Sequence, residues 1–375
     1  MRTRDISKPR GERGLFTAAP GRSFTLPSRY YVDPEISTLE QRRIFHSGWC
    51  YVGHVSDLQS SGTYLVESVA GQCVVLVRGD DGLIRCFYNV CQHRGHELLT
   101  GCGAVGRAIV CPYHGWTYAL DGALKHARFT HGMSDFDVAD YSLRELRVSV
   151  CAGLLFVNLD VGATEFDVEF DGLESTFLGH LPALSDFTAV HRYKFDIAAN
   201  WKVVIDNFSE GYHIPVAHRK LSQVLDVEAA NEAVIGGRFT CFKSRSLGGF
   251  EGFEIEPGEP YLSWTVWPNL CILSQPGSDN LIVLRITPNG PERCTERVDI
   301  YAPTAAAPGK LEALRSLFAD NFNKEDISIV ESVQRGLRSN GYDQGRYVGA
   351  DTDAWYSESG VHRFHKQVLE ALNAN

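Results

Sequence analysis

The sequence predicts an α+β chain in two parts: an all-β domain over about residues 46–160, then a larger domain over 161–375 that combines an antiparallel sheet with helices. Residues 1–45 read as an N-terminal arm and helix belonging to that second part. Three observations carry this. From Trp49 onward, short runs rich in Val, Tyr and Leu alternate with turn residues. Two Cys/His-rich loops lie within those runs. Beyond residue 200, acids and histidines at helical spacing are followed by further strand-like runs. A chain of 375 residues is long enough for two cores.

In order, Asp33-Pro34-Glu35 supplies a helix cap and a first-turn proline, and Leu39, Ile44 and Phe45 form a weak apolar stripe behind it. Residues 62–66, 72–78, 84–87 and 154–158 read as strands, with Asp80-Asp81-Gly82 and Asp121-Gly122 as hairpin turns. In the second part, residues 192–197, 261–267, 270–273, 281–286 and 297–301 read as strands, a helix covers 200–213, and a long helix runs from about Pro308 to Arg338.

A net charge of −10 argues against a nucleic-acid partner and is compatible with a cationic substrate. The N-terminus is basic and polar, and no apolar run approaches membrane-spanning length, so the expectation is a cytoplasmic protein that neither enters a membrane nor is secreted. Ten cysteines in such a chain are better read as metal ligands and buried thiols than as disulfides.

The cysteine spacing bears this out as an expectation. Cys91-Gln92-His93 and Cys111-Pro112-Tyr113-His114 form two Cys/His pairs. A structural zinc would usually use Cys-x-x-Cys or His-x-x-x-His knuckles. A Rieske [2Fe–2S] centre needs two cysteines on one iron and two histidines on the other, each loop giving one of each kind, which this pattern supplies. Nearby, Gly101-Cys102-Gly103-Ala104-Val105-Gly106 matches a dinucleotide fingerprint in letters, but it leads into the strand Ala108-Ile109-Val110 instead of a helix. It is rejected as a nucleotide site, so electrons from NAD(P)H must arrive through a separate reductase.

The stretch Asn200–His218 holds the second centre. Asp206, Glu210 and His213 are spaced i, i+4 and i+7, which on one helix would stack two carboxylates and an imidazole and call for a metal between them. Pro215 lets the chain turn and bring His218 back. Two histidines and a carboxylate are the ligand set of non-haem Fe(II) oxygenases. On the long helix, Asp326 lies within the apolar stripe of Ile327, Val330, Val333 and Leu337, with Glu325 at its edge. A buried acid must be paired, protonated or metal-bound, so Asp326 is the candidate third ligand.

On these motifs the chain resembles the catalytic α-subunit of Rieske non-haem iron oxygenases. Gly115-Trp116-Thr117-Tyr118 and Arg94-Gly95-His96 are similar to the oxygenase branch. The respiratory branch has an additional disulfide, and its two positions are held here by His96 and Tyr113. The resemblance implies a helix-grip-like catalytic domain and a flavin/iron-sulfur reductase as partner. It also implies a homotrimeric ring in which Glu210, in acid-x-x-His-x-x-x-x-His, bridges electrons between subunits; Asp is more common at that position. Ala199-Asn200-Trp201-Lys202, Trp267-Pro268-Asn269, Glu325-Asp326-Ile327 and Val361-His362-Arg363-Phe364-His365 resemble enzymes that oxidise carnitine, glycine betaine, stachydrine or choline. The implied reaction is O2-dependent N-demethylation of a betaine with release of formaldehyde. Alternatives are a carnitine- or choline-type monooxygenase and an aromatic-ring hydroxylase or O-demethylase. Phe208, Tyr212, Trp264 and Trp267 are candidate pocket aromatics, with Tyr261 near them in sequence; Trp264 and Trp267 cannot both line one face of a regular strand.

Overall fold

The computed structural model describes residues 14–226, 232–249, 255–306, 308–349 and 356–374. They fall into two compact units: Gln41–Ala189 is one, and the described residues up to Glu40 join those from Val190 onward in the other.

The first unit is built on strands β1 (Cys50–His54), β2 (Thr63–Val69), β3 (Gln72–Arg78), β4 (Ile84–Tyr88), β5 (Cys102–Ala104), β6 (Ala108–Val110), β7 (Thr117–Ala119), β8 (Leu124–His126), β9 (Glu145–Cys151) and β10 (Leu154–Asn158). Seven of them form an antiparallel sheet in the order β1-β10-β9-β4-β3-β2-β5, and β6-β7-β8 form a second. β3 reads as an unbroken apolar run because both its faces are covered. Val74 and Leu76 enter one core with Leu65 and Val157, while Val75 and Val77 enter another with Phe87, Trp116 and Tyr118. Two hairpins turn on Ala70-Gly71 and Ala152-Gly153, whose paired positive φ angles (48° and 78°, 49° and 92°) fit the right-handed twist of the strands they join.

The boundary expected near residue 160 lies about thirty residues later. Phe166 packs edge-on to Trp49 at 5.6 Å and against Phe156 at 4.6 Å, and Phe170, Leu173 and Phe177 are buried behind it. Gln41–Phe45, expected with the second part, also belongs to this unit.

The second unit adds β11 (Phe187–Ile197), β12 (Glu232–Ile235), β13 (Phe239–Arg245), β14 (Pro260–Val266), β15 (Leu270–Ser274), β16 (Leu281–Pro288) and β17 (Cys294–Pro303), in the sheet order β11-β17-β16-β15-β14-β13-β12. The expected helix at 200–213 is shorter: it spans Trp201–Phe208. Asn200 caps it, accepting from the Lys202 N–H at 2.9 Å, and Glu40 anchors it by pairing with Lys202 Nζ at 2.6 Å and accepting from Trp201 Nε1 at 2.9 Å. It ends where Ser209 folds its hydroxyl back onto the Ile205 carbonyl at 2.6 Å; the chain then turns through Gly211 into the short helix Ile214–Ala217. The long helix expected from Pro308 is likewise not uniform. Pro308–Arg315 and Asn323–Leu337 are α-helical, and Ser316–Phe322 between them is a π-helical stretch. A C-terminal helix, Ser359–Asn373, buries Val361, Phe364, Val368 and Leu372.

Candidate metal centres

Within the first unit, the two Cys/His loops have the same backbone wiring. Cys91 N donates to the His96 carbonyl at 2.8 Å and Gly95 N to Cys91 O at 3.0 Å; Cys111 N donates to Trp116 O at 2.8 Å and Gly115 N to Cys111 O at 3.0 Å. Gly95 and Gly115 both adopt φ of 73°, a left-handed turn that favours glycine. Each loop thus presents a buried thiol at its base and an imidazole farther out. Cys91 and Cys111 are each 2% exposed and face one another, and His93 Nδ1 and His114 Nδ1 lie 3.1 Å apart. Paired sulfurs on one side and paired imidazoles on the other fit a [2Fe–2S] cluster with differently ligated irons, and do not converge as a tetrahedral zinc site would. Trp116 stacks on His93 at 4.8 Å, fixing the ring. Tyr118 Oη accepts from Gln92 N at 3.0 Å and lies 3.2 Å from Cys91 Sγ, so its proton is free to point at the sulfur. The Gly101–Gly106 stretch forms β5 and a turn, with no helix behind it.

Within the second unit, His213, His218 and Asp326 place one ligand atom each within 4.8 Å of one another. His218 Nε2 lies 2.9 Å and His213 Nε2 3.5 Å from Asp326 Oδ1. The opposite nitrogen of each ring also meets a carboxylate: His213 Nδ1 lies 2.5 Å from Glu210 Oε1, and His218 Nδ1 2.6 Å from Glu325 Oε2. Burial opposes a charge on His213, yet the hydrogen bonds with Asp326 and Glu210 outweigh it and hold the imidazole at about 9. His218 is raised the same way, and although burial would raise Asp326, the two imidazoles keep it below the usual carboxylate range. A divalent cation in place of those protons satisfies the same charges, with Nδ1–H donated outward and Nε2 turned inward. The donor set and its open side fit mononuclear Fe(II).

Asp206 is not part of this set. The helix ends before Glu210, so the expected stack of Asp206, Glu210 and His213 on one face does not form. Asp206 instead accepts from the Tyr31 hydroxyl at 2.7 Å and pairs with His365 Nε2 at 2.9 Å.

A cavity of about 130 Å³ opens onto His213, His218 and Asp326. Of the four expected pocket aromatics, only Phe208 lines it, joined by Tyr261, Phe242, Phe318 and Phe322. Tyr261 and Ser263 face inward on β14, so Trp264 points to the other face, where it is fully buried. Trp267 lies against Phe364 and Arg238 instead, and Tyr212 is 52% exposed.

A Rieske [2Fe-2S] domain family matches residues 48–141, and the ring-hydroxylating α-subunit catalytic-domain family matches residues 184–374. The chain belongs to the Rieske oxygenases. It is 33% identical to the carnitine monooxygenase oxygenase subunit of Escherichia coli K12, over 95% of this chain and 96% of that one. It is 32% identical to the chloroplastic choline monooxygenase of Arabidopsis thaliana, over 92% of this chain and 82% of that one. Among solved structures, a quaternary ammonium Rieske monooxygenase superposes with a TM-score of 0.88 at 32% identity, covering 95% of this chain and 97% of the other. As a Rieske oxygenase, the chain uses a [2Fe–2S] cluster and a mononuclear non-haem iron to incorporate oxygen from O2.

Sequence reasoning missed two functional candidates in this Rieske oxygenase. Glu325 was placed only at the edge of a stripe, although its position one residue before Asp326 was a usable signal. Glu296, 2% exposed on β17, lines the cavity; its phase with Cys294, Val298 and Ile300, an acid on the apolar face of a strand, was a usable signal. No described helix is long and apolar enough to cross a membrane.

Proposed function

We propose that this Rieske oxygenase hydroxylates a C–H bond beside the nitrogen of a quaternary ammonium compound. The observation that carries the reading is the wall of five aromatic residues above the two-histidine, one-carboxylate set. A quaternary ammonium group has no hydrogen-bond donor and is held by ring faces and nearby acids. The relatives whose names specify carnitine and choline support the same class.

In this reading Cys91 and Cys111 hold one iron of the cluster and His93 and His114 the other, while His213, His218 and Asp326 hold the mononuclear Fe(II). Once bound, that iron supplies O2 activation at the end of the cavity. Glu210 and Glu325 fix the two imidazoles so that Nε2 of each faces inward. The aromatic wall excludes water and orients the substrate carbon. Glu210 also carries electrons from the cluster of a neighbouring copy; the solved relative was described for inter-subunit electron transfer, and a head-to-tail homotrimer would close the ring. A separate flavin/iron-sulfur reductase passes electrons from NAD(P)H, in the cytoplasm. Hydroxylation of an N-methyl carbon consumes O2, two electrons and two protons and yields water and a carbinolamine, which splits into the demethylated amine, formaldehyde and a proton.

The test is oxygen uptake and product analysis on iron-replete protein with a surrogate reductase and NADH. The panel spans quaternary ammonium compounds and methoxy-aromatic acids. Oxygen consumed in step with an ammonium compound and an aldehyde product supports the reading; uptake coupled only to an aromatic acid refutes it.

A further inference from the structure

The sheet decides which charges reach the cavity. Phe242 and Ser244 on β13, Leu284 and Ile286 on β16, and Glu296 on β17 line it. Alternation along a strand sends the intervening residues to the opposite face. Those are Lys243, Arg245, Arg285 and Arg297, and on β11 Arg192 and Lys194 are likewise out of phase with the lining residue Ile197. On that far face Arg297 Nε donates to Asp299 Oδ1 at 2.9 Å, and Arg192 Nε lies 3.4 Å from the same oxygen. Arg219 and Lys220, beside His218 in sequence, are exposed. Among the described residues, no Lys or Arg lines the cavity.

A buried acid does. Asn323 Nδ2 donates to Glu296 Oε1 at 2.6 Å, while Oε2 takes no hydrogen bond from a described residue. Asn323 lies one helical turn before Asp326, which sets Glu296 beside the iron carboxylate. Burial pushes the Glu296 carboxyl up to about 7, and an arriving cation favours its ionised form. A substrate carboxylate would add a further anion to this space with no Lys or Arg side chain to pair with it. Glu210 is another acid in the lining, and Ser244, Ser263 and Gln275 form a neutral polar part of the wall that suits a hydroxyl.

We propose that the substrate is a compact alkylammonium cation without a carboxylate, its charged head set against Glu296 beside the iron site and its neutral tail against Ser244, Ser263 and Gln275. This rests on the quaternary ammonium reading and narrows it, away from the betaine that sequence analysis favoured.

The test is anaerobic calorimetric titration of the iron-replete holoenzyme with choline, tetramethylammonium, glycine betaine, carnitine, the uncharged isostere 3,3-dimethylbutan-1-ol and a methoxy-aromatic acid. Choline and tetramethylammonium are expected to bind, with glycine betaine and carnitine at least about tenfold weaker, because their carboxylate is buried unpaired. Glu296→Gln, which keeps the partner of Asn323, is expected to weaken choline by about tenfold and leave the neutral alcohol unchanged. Glycine betaine or carnitine binding as tightly as choline, or choline unaffected by Glu296→Gln, overturns the proposal with the quaternary ammonium reading intact. Binding of the methoxy-aromatic acid with no ammonium compound binding overturns both.

Discussion

His213 Nδ1 and Glu210 Oε1 lie 2.5 Å apart, and Glu210 Oε2 accepts from the His213 backbone N–H at 3.1 Å, so one side chain grips both the ring and the main chain of a candidate iron ligand. Glu210→Gln keeps the size and removes the charge. In protein loaded to full iron content it is expected to slow reoxidation of the reduced cluster by O2 by about tenfold or more. Stopped-flow absorbance of the cluster checks this; wild-type reoxidation would remove Glu210 from the electron path.

Glu325 makes the matching contact on His218. Glu325→Gln is expected to weaken iron binding by about 10–100-fold without altering the cluster spectrum. Competition with a chelator, read by iron analysis, distinguishes this from a merely exposed acid, whose loss would change nothing.

Glu296 gives a pH dependence. Its carboxyl is raised to about 7, first by burial, with the charge of Asp326 adding and the Asn323 hydrogen bond opposing; its charge also acts on the Cys271 and Cys294 thiols, and Glu210, His213, His218 and Tyr261 share its cavity. A raised carboxyl is neutral below its folded value, so the affinity of the iron-free protein for an ammonium cation is expected to rise from pH 6 to 8 and level off above. The same carboxyl costs stability as pH climbs from its usual carboxylate range to about 7. Calorimetric affinities across that range test the sign, and a flat profile in wild type would contradict it.

Asp206, partly buried, forms a network with buried Tyr31 and His365, extended by His365 Nδ1 to the Tyr347 hydroxyl at 2.6 Å. Tyr31→Phe leaves Asp206 and His365 short of a partner and is expected to cost about 1–3 kcal/mol of stability, with iron content unchanged. Denaturant unfolding and metal analysis check both halves.

These sites divide by how local their signals are. The cluster loops were readable because all four candidate ligands lie within short motifs, and β3 and β10 because period and turn residues delimit them to the residue. Asp326 stood out as an acid near Val330 and Leu337, which are buried, although Val333 of the same expected stripe is 45% exposed. The geometry around Glu210 was not readable, because the helix that periodicity extends to residue 213 is stopped by Ser209 bonding back to Ile205, a contest between side chain and backbone that spacing does not record. Nor was the aromatic wall: strand parity chose Tyr261 over Trp264, and Phe318 and Phe322 lie in or at the end of a π-helical stretch that changes which residues share a face. The domain boundary moved because Phe166 found its partners, Trp49 and Phe156, earlier in the chain.

The most direct test of the two-centre account is iron and acid-labile sulfide analysis, with electron paramagnetic resonance of the dithionite-reduced protein, for wild type and Asp326→Ala. The account predicts about three irons and two sulfides per chain in wild type, falling to about two irons in the variant with the Rieske signal intact. Two irons in wild type, or loss of the cluster signal on changing Asp326 alone, would contradict it.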